Sequence, residues 1–188
     1  MVKRKACIFI SGKGSNLKNL ILRSRDKSFP VSISLVISNN KNAIGIDYAK
    51  KYKIPYKIIN TKIKNHEVKL LYLLKKYKIS FICLAGYMKI ISNKIIQNFE
   101  KKIINIHPSL LPKFKGLNTH LRAIKNNEKY SGCTVHYVNS KLDSGKIILQ
   151  KKIKVMKKDD EKSLAKRLLK VENNIYPKAL KKFILANL

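Results

Sequence analysis

Lys5-Ala6-Cys7-Ile8-Phe9-Ile10-Ser11-Gly12-Lys13-Gly14-Ser15-Asn16 reads as a buried strand, a glycine-rich turn and the start of a helix. The helical pattern continues at Leu17, Leu20 and Ile21. A strand entering a helix through so short a turn opens a β-α-β unit, and the rest of the chain repeats the alternation. Residues 31–37 form a second strand and 43–53 a helix. Residues 54–59 form a third strand, with Pro55 marking an edge or a strand start. Apolar side chains at 68, 70, 71, 73, 74 and 77 give segment 66–78 a helical face. Segment 79–85 is apolar almost throughout, as a central strand covered on both faces would be. Ser92 caps a short helix over 93–99. A helix over 118–126 and strands over 132–138 and 146–155 follow, and Asp159 or Asp160 can cap a helix carrying Leu164, Leu168, Leu169 and Val171. The pattern predicts an α/β fold: a doubly wound, mostly parallel, Rossmann-like sheet with helices on both faces. Such sheets bind ligands at the carboxyl ends of their strands, where the strand order reverses.

The chain of 188 residues, 45% of them hydrophobic, is expected to form one domain over 1–188 with a full core. Its formal net charge is +32, and only five of the 42 basic residues are arginine. Lysine spread through every segment differs from a dedicated nucleic-acid surface, which clusters its charge and uses arginine forks and aromatic side chains. Compositional drift explains the excess better, although such a surface still attracts anions. Cys7, Cys83 and Cys133 each lie in an apolar run, with no Cys-x-x-Cys, and read as reduced core residues of a cytoplasmic protein. The apolar stretch 6–10 is too short for a signal sequence, and no window is long enough for a membrane span. The four histidines and three cysteines show no metal-ligand spacing.

The glycine-rich turn is neither a dinucleotide fingerprint, for want of a third glycine, nor a Walker loop, because Gly14 follows Lys13. By itself it fits a tight turn as well as a phosphate site at a helix N-terminus. A second chemical stretch is Asn105-Ile106-His107-Pro108-Ser109-Leu110-Leu111-Pro112. The prolines exclude regular structure beyond the strand that enters it. Asn105 and His107, two apart in extended chain, point to the same side. An amide that donates to a developing oxyanion, beside an imidazole that moves a proton near neutral pH, suits acyl transfer, and a packed core histidine followed by a proline-rich loop fits equally. Asp143, in a glycine-bounded loop, is the sole carboxylate between Glu128 and Asp159.

Asn105 to Pro112, followed by Gly116, Leu117, Thr119 and His120, resembles the signature of the folate-dependent formyltransferases, most nearly the phosphoribosylglycinamide formyltransferase family. The likeness runs over nearly the whole chain. It implies transfer of a formyl group from 10-formyltetrahydrofolate, as co-substrate, to the amine of 5′-phosphoribosyl-glycinamide in purine biosynthesis. The amine attacks directly, with Asn105, His107 and Asp143 stabilising the tetrahedral intermediate and moving protons, Asp143 favouring the imidazolium. Gly14, Ser15 and Asn16 would hold the phosphate, Glu172 the ribose hydroxyls, with Leu169, Lys170 and Val171 beside it. Met88, Lys89, Ile90 and Ile91, with Asn139, Ser140, Lys141, Leu142 and Asp143, would hold the folate, as would Asn105. Lys62 or Lys64 stands where relatives carry an arginine, and His120 and His136 would support the catalytic groups. The usual Asp-Gly-Gly is here Asp143-Ser144-Gly145. The chain stops at Leu188, where relatives commonly continue through a strand-like tail. The implied partners are small molecules, with no metal, specific nucleic acid or membrane, and the protein would be a monomer or homodimer. Two other readings are a methionyl-tRNA formyltransferase-like catalytic domain and a basic nucleic-acid-binding module. The first usually has Gly where Pro108 stands and carries a further domain.

Overall fold

The computed structural model describes residues 2–187. The chain opens with β1 (Arg4–Ile10), α1 (Ser15–Ser24), β2 (Val31–Ser38), α2 (Gly45–Lys51) and β3 (Tyr56–Ile58). It continues with α3 (His66–Lys76), β4 (Phe81–Leu84), α4 (Asn93–Asn98), β5 (Ile103–His107) and α5 (Thr119–Lys125), and ends in β6 (Tyr130–Tyr137), β7 (Ile147–Lys154) and α6 (Glu161–Asn187). The strands form one sheet of order β3-β2-β1-β4-β5-β6-β7. The first five are mutually parallel, and β6 and β7 join antiparallel. This is the expected doubly wound, mostly parallel sheet. The central strand is β4, and β3, entered through Pro55, lies at the edge.

Alternating side chains divide each inner strand between two cores. Ala6, Ile8, Ile10, Phe81, Cys83, Ile104 and Ile106 pack with α1, α2 and α6 on one face. Cys7, Phe9, Ile82, Leu84 and Ile103 pack with α3 and α4 on the other. Asn105 and His107 continue the second set in the period-two pattern. All three cysteines are buried and free. Ser92 Oγ accepts from the Ile95 amide at 3.4 Å and starts α4. Asp160 and Ser163 exchange side-chain and backbone hydrogen bonds at the start of α6, a reciprocal cap.

The long helix α6 exceeds the sequence expectation, because it runs through Pro177. Proline lacks the N–H that would reach the carbonyl four residues earlier, Asn173. Asn19 Nδ2 supplies the missing donor to that oxygen at 2.7 Å. Burial of Ile175, Tyr176, Ala179, Leu180 and Phe183 holds the helix against the sheet. The Tyr176 hydroxyl also donates to the Leu84 carbonyl at 2.8 Å, tying α6 to the end of the central strand.

Candidate active site

The strand order reverses between β1, whose chain turns toward β2, and β4, whose chain turns toward β5. The two departing loops are joined at the crevice: the Ser11 amide donates to the Gly86 carbonyl at 3.1 Å, and the Met88 amide to Ser11 Oγ at 2.7 Å. A cavity of about 470 Å³ opens here and extends along the end of β5. Tyr87 to Ile91 form one wall, Asn139 to Asp143 another, and Asn16 and Glu172 close one end.

Three polar side chains converge inside it. Asn105 Nδ2 lies 3.5 Å from Asp143 Oδ1, and His107 Nδ1 lies 3.4 Å from Asp143 Oδ2. The 138–145 loop folds back over β5 to bring Asp143 there, with Asp143 itself in the left-handed region at φ 43°, a conformation Asp tolerates better than most residues. The Gly116 amide donates to Asp143 Oδ2 at 2.9 Å. His107 Nε2 lies 2.9 Å from the Phe114 carbonyl. A carbonyl only accepts, so Nε2 carries the hydrogen and Nδ1 faces Asp143. By the same logic His136 Nδ1–H donates to the Tyr137 carbonyl at 2.8 Å. Its Nε2 lies 3.3 Å from Asn105 Nδ2 and 3.6 Å from Asp143 Oδ1, so the ring borders both groups. Both contacts of the Asn105 amide are long, 3.3 Å to His136 and 3.5 Å to Asp143, so a ligand oxygen can compete for either hydrogen.

The proline-containing turn after β5 is knitted from both sides. Ser109 Oγ donates to the Lys113 carbonyl at 2.6 Å, and Thr134 Oγ1 to the Ser109 carbonyl at 2.7 Å. Gln150 in turn donates to Thr134 Oγ1 and to the Leu111 carbonyl. Ser144, in place of the usual glycine, bonds to the Leu142 carbonyl and receives Lys115 Nζ, so the substitution adds contacts to the Asp143 loop.

Burial penalises the imidazolium of His107 more than the Phe114 carbonyl and Asp143 favour it, and His136 and Arg122 add to the penalty. Its pKa therefore lies below the ordinary histidine value. Asp143 acts in the direction the sequence reading expects, favouring the imidazolium, and desolvation opposes it. Burial would raise the Asp143 pKa, yet His136, the Gly116 amide and His107 together hold it below the usual carboxylate range.

At the other end, Asn16 Nδ2 donates to Glu172 Oε2 at 2.7 Å, while Asn16 Oδ1 is buried without a partner. Burial raises the Glu172 pKa against the lowering effect of that bond. Gly14 precedes α1 with φ 70°, and a side chain there would meet the Gly45 Cα at 2.5 Å. The two glycines let the turn and the start of α2 touch. Gly14 and Ser15 adjoin this end through Asn16. Leu169, Lys170 and Val171 lie on the preceding turn of α6, outside the cavity lining, and Val171 packs on the core. Lys62 and Lys64 also lie outside it, in an adjoining depression with Thr61, His66, Glu67 and Lys94. His120 sits behind His107; its Nδ1 is buried without a hydrogen-bond partner, and burial lowers its pKa. Among the described residues no His, Cys, Asp and Glu cluster could hold a metal ion. The roles of the Phe114 carbonyl and Gly116 amide escaped sequence reasoning, because they are backbone groups. The partner of Gly14, Gly45, could have been sought as a second glycine at a helix start.

The formyl transferase family model matches residues 4–180. The chain belongs to the formyl transferase family. A phosphoribosylglycinamide formyltransferase of Haemophilus influenzae is 39% identical over 184 residues, covering 96% of this chain and 87% of the relative. The trifunctional purine biosynthetic protein adenosine-3 of Homo sapiens is 39% identical over 182 residues, 95% of this chain; the match spans only 18% of that protein's length. Among solved structures, phosphoribosylglycinamide formyltransferase of Brucella melitensis aligns with TM-score 0.92 at 41% identity, over 96% of this chain and 95% of that one. The Anaplasma phagocytophilum enzyme of the same name aligns with TM-score 0.89 at 42% identity, covering 94% and 84%. No helix among the described residues is long and apolar enough to cross a membrane.

Proposed function

We propose that residues 1–188 form one phosphoribosylglycinamide formyltransferase domain, moving the formyl group of 10-formyltetrahydrofolate to the primary amine of 5′-phosphoribosyl-glycinamide. The observation that carries this reading is the single cavity with Asn105, His107 and Asp143 at one place and the Asn16–Glu172 pair at another. Met88, Ile90 and Leu142 leave apolar surface exposed, as the wall of a flat-ring pocket would. The buried, unpartnered Asn16 oxygen and the Glu172 carboxyl are acceptors suited to ribose hydroxyls. The first-turn amides of α1 suit a phosphate. The co-substrate supplies an activated formyl carbon.

Asn105 donates an amide hydrogen to the formyl oxygen as negative charge develops there, in exchange for its long contact with Asp143. Removing one such donor costs about 10²–10³ in rate. Burial disfavours the His107 imidazolium in the free protein. His107 takes a proton at Nδ1 as the amine attacks the formyl carbon and returns one to the folate nitrogen as the bond from that nitrogen to the formyl carbon breaks, with Asp143 beside Nδ1 to stabilise the transient charge. The substrates are small molecules, and the chain acts as a monomer or homodimer in the cytoplasm.

The test is folate product formation with phosphoribosyl-glycinamide and, separately, with methionyl-tRNA, at physiological salt. Turnover with the small amine alone is expected. Turnover with the tRNA alone would replace this reading with the tRNA one. Turnover with neither would refute formyl transfer to both acceptors.

A further inference from the structure

Residues 114–117 form the turn that supplies the Phe114 carbonyl to His107 and the Gly116 amide to Asp143. Its backbone is unfavourable in isolation at Phe114, which has φ 55°. A bulky residue holds a left-handed conformation only when its surroundings enforce it. Beside its bonds to His107 and Asp143, the turn is held by one side chain on α5. Arg122 Nη1 donates to the Lys115 carbonyl at 2.6 Å and lies 3.4 Å from the Leu117 carbonyl, and its guanidinium carbon sits 5.1 Å from the centre of the Phe114 ring. One planar group thus grips the turn at three places, the Phe114 ring and the Lys115 and Leu117 carbonyls.

We propose that Arg122 is a positioning residue for formyl transfer, clamping the 114–117 turn so that Phe114 and Gly116 hold His107 and Asp143 in their facing arrangement. The proposal rests on the formyltransferase reading. Lysine, the residue this chain uses almost everywhere for positive charge, cannot reproduce the clamp. It carries a point charge with no planar fork to stack on Phe114 while reaching both carbonyls. The charge of Arg122 acts separately. It opposes protonation of His107, as His136 does, while Asp143 favours it. Geometry and charge can therefore be told apart by substitution.

The experiment compares wild type with Arg122→Lys and Arg122→Met. Steady-state kinetics with both substrates are read beside nitrogen NMR of the His107 ring in the free protein, which reports its tautomer and pKa without turnover. Both variants are expected to lose roughly ten- to hundredfold in kcat, with KM unchanged. In both, the Nε2–H tautomer gives way to a mixture, and only in Arg122→Met does the His107 pKa also lose the opposition of the cationic neighbour. Wild-type kcat and a single tautomer in Arg122→Lys would overturn the proposal. A fall in melting temperature with both unchanged would do the same, marking Arg122 as merely structural. Should Arg122→Met fail to fold, Arg122→Lys decides alone. Absence of turnover in the wild type would instead refute the formyltransferase reading.

Discussion

The side-chain amide of Asn19, on α1, donates at 2.7 Å to the carbonyl of Asn173, the oxygen that Pro177 leaves without an intrahelical donor. One asparagine therefore makes a mid-helix proline tolerable and seats α6 on α1 one residue after Glu172. The helix stays continuous where Glu172 must face the cavity, so a stability contact and a binding residue share one turn.

Asn19→Ala is expected to cost roughly 1–3 kcal/mol, the penalty for stranding a polar group. In a Pro177→Ala background the residue at 177 regains its N–H, and the same change should cost less. Chemical denaturation of the four proteins in a double-mutant cycle measures the difference. Equal costs in both backgrounds would refute the pairing.

Glu172 binds its proton more tightly in the folded protein than in an unfolded chain. Its contribution to stability is complete below the ordinary glutamate pKa and is lost as pH rises through the higher folded value. Glu172→Gln, which keeps an acceptor for Asn16, should melt above wild type at pH 8 and lose that advantage near pH 4. It should also raise KM for the phosphoribosyl substrate. A glutamine variant less stable than wild type at pH 8 would contradict this account.

Asp143 titrates in the opposite sense. Its folded pKa is depressed, so its stabilisation is present above the unfolded value and disappears as pH falls through the folded one. Asn tolerates the same left-handed backbone, so Asp143→Asn should fold. It removes the group that favours the His107 imidazolium, and the His107 pKa should move further down. Turnover should fall by about 10²–10⁴. NMR titration of His107 reads the first effect; an upward shift would show that Asp143 does not act on the ring as described.

Gly14→Ala forces a side chain at φ 70° against the Gly45 backbone. It should destabilise the protein by about 1–3 kcal/mol and spread the turn from α2. KM for the phosphorylated amine should rise while kcat changes little. An unaltered KM would separate this turn from the substrate.

The sheet was legible because its strands alternate with helices and its central strand, around Ile82 and Cys83, is apolar on both faces. Asn105 and His107 were legible as a pair because an extended chain has period two. What stayed hidden depends on contacts distant in sequence. The continuation of α6 past Pro177 rests on Asn19, 154 residues before the Asn173 carbonyl it bonds. The net direction of the His107 pKa rests on burial, which no neighbouring residue encodes. Lys62 and Lys64 share the right charge for a folate contact, but the path of their loop sets them in the adjoining depression.

The bond from Tyr176 to Leu84 spans 92 residues and joins α6 to the central strand. A ribosome making this chain delivers the whole sheet before it delivers that tyrosine. Until then the face built from Ile8, Phe81 and Ile104 lacks the cover of α6, and the cavity lacks Glu172. The nascent protein is thus most vulnerable to aggregation just before synthesis of α6 is complete, and the step that closes its core also completes its cavity.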